Sequence, residues 1–273
     1  MQGRGTSSAL PRIHRARGYR LYDMQGKRYL DLYRDGALLG HRAASTVTVM
    51  KSVLSQGLAT ALPSAWEGRL TAAIARLYPV HPFVRLYSSP ARALAAARIV
   101  AGVDAETVFD PATEQPPRRM PAIARARPFL PTPAGARVLL PALPFSLCGN
   151  PSAACFSEDP GTAVPASDPL PGFLLAGALR ACAALFPEHP GGPVVLGNPA
   201  LERALDAGRA WARIGPYVRP VFASDDYPRV HAEFLHAGVL LCPEFSGPSV
   251  LPGDCSPGET RLLVGLFTGV RGG

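Results

Sequence analysis

The chain has 273 residues, of which 47% are hydrophobic and 18% charged, enough to bury a sizeable core in one or two domains. Its formal charge of +8 comes from dispersed arginines in no Lys/Arg run longer than two, with Arg replacing nearly all Lys; that pattern reflects residue usage and argues against a nucleic-acid-binding stripe. Cys148, Cys155, Cys182, Cys242 and Cys255 form no CxxC pair, residues 1–20 hold no apolar secretory segment, and the apolar run GFLLAGALRACAALF is shorter than a membrane span and contains Arg180, so the expectation is a cytoplasmic protein with reduced thiols, without metal or membrane partner.

In chain order, the stretch GYRLYDMQGKRYLDLYRDGALLGH, Gly18 to His41, predicts a β-hairpin. Tyr19, Leu21 and Tyr22 lead into a turn from Asp23 to Gly26, and Tyr29, Leu30 and Leu32 follow; Asp offers a local acceptor and Gly a residue able to take positive φ. The stretch ends in a Gly-His corner, where His41 reads as a hydrogen-bonded structural residue. Apolar spacing predicts a helix from Ala44 to Gly57. A second helix is expected from Ser64 to Leu77, with Ser64 and Glu67 as a capping box. Phe83 to Tyr87 reads as a strand, and SSPARALAAARIVAG, Ser88 to Gly102, as a helix whose first turn holds Pro90, where a proline costs no intrahelical bond.

From Pro111 to Pro171 prolines cluster and predict an irregular middle, with short buried strands at Arg137 to Leu140 and Ala153 to Phe156. Asp110 reads as a turn residue. Helices at Gly172 to Leu185 and Pro199 to Ala212 flank a strand at Pro193 to Leu196. The last sixty residues predict a β-α-β-α unit: strand Tyr217 to Phe222, helix Tyr227 to Ala237 closed by Gly238, strand Val239 to Cys242, and helix Ser256 to Phe267 with a second capping box, Ser256 and Glu259. Such a unit buries a core of its own, which sets a domain boundary near Arg213.

Four segments share one resemblance. Gly18 to His41 resembles the opening of class III aminotransferases and glutamate-1-semialdehyde aminomutases, G-x-x-L-x-D-x-x-G-x-x-Y-L-D-L before a glycine-histidine corner. PSAWEGRLTAAIARLYP (Pro63 to Pro79) is similar to the helix that follows, VRLYSSPARALAAARIVAG (Val84 to Gly102) to the strand, turn and helix that open the cofactor domain, and HAGVLLCPEFSGPSVLPGDCSPGE (His236 to Glu259) to the last small-domain strand, loop and helix. The middle of the chain does not match.

The resemblance implies an α/β fold of the pyridoxal-phosphate (PLP) transferase type, fold type I, in reduced form: residues 1–82 as N-terminal hairpin and helices, 83–212 as a shrunken cofactor domain, and 213–273 as an α+β small domain. It also implies a cofactor held by a Schiff-base lysine, an aspartate at the pyridine nitrogen, a stacked aromatic ring and a helix N-terminus at the phosphate. The chain has two lysines, Lys27 in the hairpin turn and Lys51 on the first helix, both far upstream of the family's nucleophile. Arginine stays protonated and cannot replace it.

The phosphate turn has become Ser88-Ser89-Pro90-Ala91-Arg92. Ser89 stands where a glycine allows close approach, and Pro90 removes a donor. Ser88, Ser89 and Arg92 are either a remnant phosphate site or an ordinary helix cap. A Ser-His-Asp set drawn from Ser256, His231 or His236, and Asp254 lacks a G-x-S-x-G elbow. His231 and His236 lie about 140° apart on a helical wheel and cannot share a metal.

The resulting expectation is an aminotransferase-like chain that is catalytically inactive, with no catalytic residue, no metal and no covalently bound PLP. It would be retained for association, as a homodimer or with a related subunit. Two alternatives stand beside it: binding of a phosphorylated small molecule such as PLP at Ser88 to Arg92, and a different enzymatic chemistry on the same scaffold.

Overall fold

The computed structural model describes residues 10–33, 38–41, 43–102, 108–115, 117–145, 150–186 and 198–270. They group into two units. One holds residues 10–33, 40–41 and 198–270, the other residues 38–39 and 43–186.

The second unit is built on strands β4 (Phe83–Tyr87), β5 (Val108–Phe109), β6 (Ile123–Ala126), β7 (Val138–Pro141) and β8 (Ser152–Phe156). They form one sheet in the order β4-β8-β7-β6-β5. β5, β6 and β7 are mutually parallel, and β8 runs against both β7 and β4; β4 to β7 therefore share one direction and end on one edge. Helices α1 (Ala44–Ser55), α2 (Ala65–Leu77), α3 (Pro90–Ala101) and α4 (Gly172–Ala183) complete the unit.

Neighbouring residues of each strand face opposite sides, and both sides are covered. Leu86, Ala124, Leu139 and Cys155 meet Leu70 and Ile74 of α2 and Leu175, Ala178 and Cys182 of α4. Tyr87, Ile123, Val138, Ala154 and Phe156 meet Ala93, Ala96 and Ala97 of α3. A sheet buried on both faces needs near-continuous apolar strands, and VLLP and SAACF supply them. Burial pushes the thiols of Cys155 and Cys182 up, that of Cys182 to about 12.

In the first unit, β1 (Ile13–Arg17), β2 (Arg20–Asp23) and β3 (Arg28–Asp31) make an antiparallel meander, and β11 (Val239–Leu240) joins β3 in parallel. The hairpin turn forms as its residues require: Asp23 Oδ1 accepts from the Gln25 and Lys27 amides, and Gly26 takes φ +80°. β9 (Trp211–Ile214) and β10 (Tyr217–Pro220) pair around Gly215, with β12 (Ser249–Val250) on the other side of β10. Helices α5 (Pro199–Ala207), α6 (Tyr227–His236) and α7 (Pro257–Gly269) pack over an aromatic core. There Trp211 stands edge-on to Phe222 and Phe267 at 5.4 and 5.0 Å between ring centres.

Several expectations are corrected. Ser64 has the extended backbone of a cap residue, but its buried hydroxyl has no partner among the described residues; the Glu67 amide bonds to the Ser64 carbonyl instead, so α2 has no capping box. The helix expected to reach Ala212 stops at Ala207, because Gly208 is extended and Trp211 already begins β9. Arg213 lies inside that strand, paired with Val218. The strands of the expected C-terminal β-α-β-α unit fall in different sheets: β10 pairs with β9 and β12, whereas β11 adds to the N-terminal hairpin through Leu30 N to Gly238 O at 2.8 Å and Leu32 N to Leu240 O at 2.9 Å. The capping box of Ser256 and Glu259 forms as expected. The strand expected at Pro193 to Leu196 lies outside the described residues.

Candidate functional site at the carboxyl edge of the five-stranded sheet

Ligands of open α/β sheets bind outside the carboxyl ends of the parallel strands. On that edge β4 runs through Ser88 and Ser89 into α3. Ser89 is the helix cap, its Oγ accepting from the Arg92 amide at 3.3 Å. Ser88 donates twice to one acceptor, Asp168 Oδ2: from its amide at 2.8 Å and its hydroxyl at 2.7 Å. Arg92 Nε donates to the same oxygen at 2.7 Å, and its Nη2 to Asp168 Oδ1 at 2.5 Å. Ser88, Ser89 and Arg92 thus stand together at the start of α3, with Ser88 and Arg92 on an anion supplied by the chain itself.

The backbone fixes that anion in place. β4 is an edge strand of its sheet, and residues 165–168 run along it. The Leu86 amide donates to Ser167 Oγ at 3.1 Å, the Asp168 amide to the Leu86 carbonyl at 2.8 Å, and the Tyr87 hydroxyl to the Pro165 carbonyl at 3.0 Å. These bonds cover an otherwise open strand edge and aim Asp168 at the start of α3. The Arg92 hydrogen bond, and then those from Ser88, outweigh burial and hold the Asp168 carboxyl down at about 2. A charged acceptor at a helix N-terminus is favourable in the same sense as a bound phosphate. A phosphate offered to these donors must displace Asp168; Pro90 offers no N–H, and Ser89 Oγ is engaged as the cap. The seat does not fit a phosphate group while Asp168 occupies it.

Further along the edge, Asp110 follows β5 and Arg127 follows β6. Asp110 makes the turn expected of it, its Oδ1 accepting from the Ala112 amide at 3.0 Å. It also receives Arg127, Nε to Oδ1 at 3.1 Å and Nη2 to Oδ2 at 2.6 Å, while Arg125 Nε stands 3.6 Å from Oδ2. The alternation Ala-Arg-Ala-Arg at residues 124–127 was the available signal for this cluster. Between the first turn of α3 and the ends of β6 and β7 lies a cleft of about 180 Å³ whose lining includes Pro90, Leu94, Arg125, Leu143 and Ser152.

The other chemical candidates belong to other elements. Lys27 Nζ donates to the His236 carbonyl at 3.0 Å and lies over the Tyr29 ring, and Lys51 is exposed on α1. His41 bonds to Asp31 Oδ2 at 2.6 Å through Nε2, beside the backbone bridge between Gly18 and His41. Ser256 Oγ caps α7, and Asp254 is paired with Arg20, so neither is arranged as a triad member. His231 is buried on α6 and held below its ordinary value by desolvation. Among the described residues no group of His, Cys, Asp and Glu could hold a metal ion, and no helix is long and apolar enough to cross a membrane.

No family model matches the chain. An uncharacterized protein of Treponema pallidum (strain Nichols) is 27% identical over 273 aligned residues, covering 88% of this chain and 89% of that protein. An uncharacterized protein of Borreliella burgdorferi is 44% identical over 62 residues, 22% of this chain and 23% of that one. Among solved structures, an omega-transaminase from Sphaerobacter thermophilus superposes with a TM-score of 0.68 at 13% identity, over 97% of this chain and 91% of that chain. N-acetylornithine aminotransferase from Stenotrophomonas maltophilia K279a gives 0.60 at 14% over 95% of both chains. Ornithine aminotransferase from Plasmodium yoelii gives 0.59 at 14%, over 97% of this chain and 95% of that chain. At these identities the likeness is one of architecture: the chain has the α/β fold of the PLP-dependent transferases of fold type I.

Proposed function

We propose that this is an aminotransferase-like protein of the cytoplasm that performs no amino transfer and is retained for association, with a second copy of itself or with a related subunit. The observation that carries the reading is the seat at the start of α3. The donors that would face a cofactor phosphate hold Asp168, and neither lysine of the chain follows a strand of that sheet: Lys27 lies in the turn between β2 and β3, and Lys51 on α1. In this reading the fold survives as a scaffold: its sheet is covered on both faces and its edge strand is closed by the chain's own residues 165–168. A phosphorylated small molecule at Ser88 to Arg92, the alternative suggested by sequence, must compete with a carboxylate attached to the chain. Such an intramolecular competitor acts at high effective concentration.

Two measurements on the purified full chain test the proposal. Incubation with PLP, an amino donor and a keto acceptor should give no amino-group exchange, and sedimentation should show a dimer or larger species. Amino-group exchange by the full chain, or a strictly monomeric chain that joins no related subunit, contradicts it.

A further inference from the structure

Between Lys51 and Glu67 the chain has no charged residue, yet much of that stretch lies on the surface. α1 packs on α4, with Met50 against Gly177, and ends just beyond Leu54, which is 42% exposed. Gly57 takes φ +81°, and the Leu58 amide returns to the Val53 carbonyl at 3.4 Å, so the loop folds back on the helix end. Leu58 and Trp66 both border Gly172 of α4, where a Cβ would stand 3.2 Å from Leu58 Cβ and 3.5 Å from Trp66 Cδ1. Between these two, residues 59–63 are exposed, Leu62 at 60%. The end of α1, the loop and the start of α2 thus form one uncharged, largely apolar surface, the composition of an interface core. Its rim carries opposite charges. Lys51 lies about 60° around α1 from Leu54 and Glu67 in the first turn of α2, and neither has an ion pair among the described residues.

We infer that residues 52–66 are the surface on which two copies of this chain associate about a two-fold axis, with Lys51 of one copy facing Glu67 of the other. The inference rests on the association proposed above and gives it a surface. A two-fold interface sets the same patch against itself, so its apolar centre meets an apolar centre, and a rim with one cation and one anion is its own complement. The formal charge of +8 opposes contact between copies over the charged parts of the molecule. An uncharged stretch lets two copies approach without that repulsion, whereas a strongly charged partner would find nothing in it to pair with.

The test is sedimentation equilibrium of the full chain at near-physiological salt. Leu54→Asp and Leu62→Asp, both at exposed positions, should each raise the dimer dissociation constant at least about tenfold, a change of about 1.4 kcal/mol. Ile99→Asp, at an apolar side chain 51% exposed on α3, should leave it unchanged. Lys51→Glu and Glu67→Lys should each weaken the dimer at least about threefold, and the double exchange should return it to within about twofold of the wild type. A dimer as tight in Leu54→Asp and Leu62→Asp as in the wild type, a loss of the same size in Ile99→Asp, or a double exchange no tighter than the single ones overturns this surface and leaves association itself standing. A wild type that is monomeric at its highest soluble concentration overturns the surface together with self-association.

Discussion

Asp168 and Arg92 are 76 residues apart in sequence and meet carboxylate to guanidinium through two bonds, Nε to Oδ2 and Nη2 to Oδ1. With the two donors of Ser88 they complete, inside one chain, the charge pattern of an anion bound at a helix start. The pairing occupies the donors at the start of α3, and it ties the proline-rich segment before α4 to the edge of the sheet. One contact therefore has a structural role and a functional consequence.

Acid should destabilise the protein in two stages. The carboxyls of Asp168 and Glu259 are both held down at about 2, Glu259 chiefly by its bond from Arg20. Their folded values lie below the unfolded ones, 3.8 and 4.5. Their contribution is thus fully present above about pH 4.5 and is lost as pH falls towards 2. His231, held below 6.5 by desolvation, favours the neutral ring, so its contribution is present above that value and declines as pH falls below it. Urea midpoints should fall slightly from pH 7 to 5 and steeply below 4. Glu259→Gln should cost about 2 kcal/mol at pH 7 and approach the wild type near pH 2. Parallel profiles for the two proteins at all pH values would show that Arg20 and Glu259 are not coupled.

The two serines before α2 and α7 have the same sequence signature and different bonding. Ser256→Ala should cost about 1 kcal/mol, the usual value of a working cap, because it removes the acceptor of the Glu259 amide. Ser64→Ala should be neutral to within about 0.5 kcal/mol, since a buried hydroxyl with no partner among the described residues is removed. Denaturant midpoints of the two variants measure the contrast; equal losses would mean that Ser64 caps its helix in solution.

Gly238 is the joint between α6 and β11. It takes φ +84°, and a Cβ there would stand 3.0 Å from the Arg28 carbonyl oxygen. Gly238→Ala should cost roughly 1 to 3 kcal/mol from the left-handed backbone alone, and should expose the Leu30 amide, which bonds to the Gly238 carbonyl, to faster hydrogen exchange. Gly265→Ala in the exposed middle of α7, where a Cβ meets nothing, should instead stabilise by roughly 0.5 to 1 kcal/mol. Similar effects at the two positions would contradict the pairing of β3 with β11.

What the sequence made legible was local. The hairpin turn depends on Asp23 and Gly26, the cap of α3 on Ser89 and Pro90, and the cap of α7 on Ser256 and Glu259, and in each case the interacting groups are within four residues. The non-local pairings were not legible. Val239–Leu240 could add to any parallel edge, and nothing in its composition selects β3 over β10. Asp168 sits in a run of prolines that reads as an irregular loop, so its 80-residue reach to Ser88 carried no periodic signal. Ser64 shows the converse: the residue pattern of a capping box was present, and the backbone carbonyl took the amide that the side chain was expected to bind.

The central claim, that the chain's own carboxylate occupies the donors at the start of α3 that a phosphate would need, is tested most directly by titrating PLP and inorganic phosphate against the wild type and Asp168→Gly while following thermal stability. The wild type should show no ligand-dependent rise in Tm from either compound beyond the matched-salt control. Asp168→Gly should start lower, by about 1 kcal/mol for a screened, solvent-facing charge contact, and should rise with phosphate concentration as Ser88 and Arg92 take up the new anion. A wild-type Tm that climbs with PLP or phosphate as steeply as that of Asp168→Gly would contradict the account.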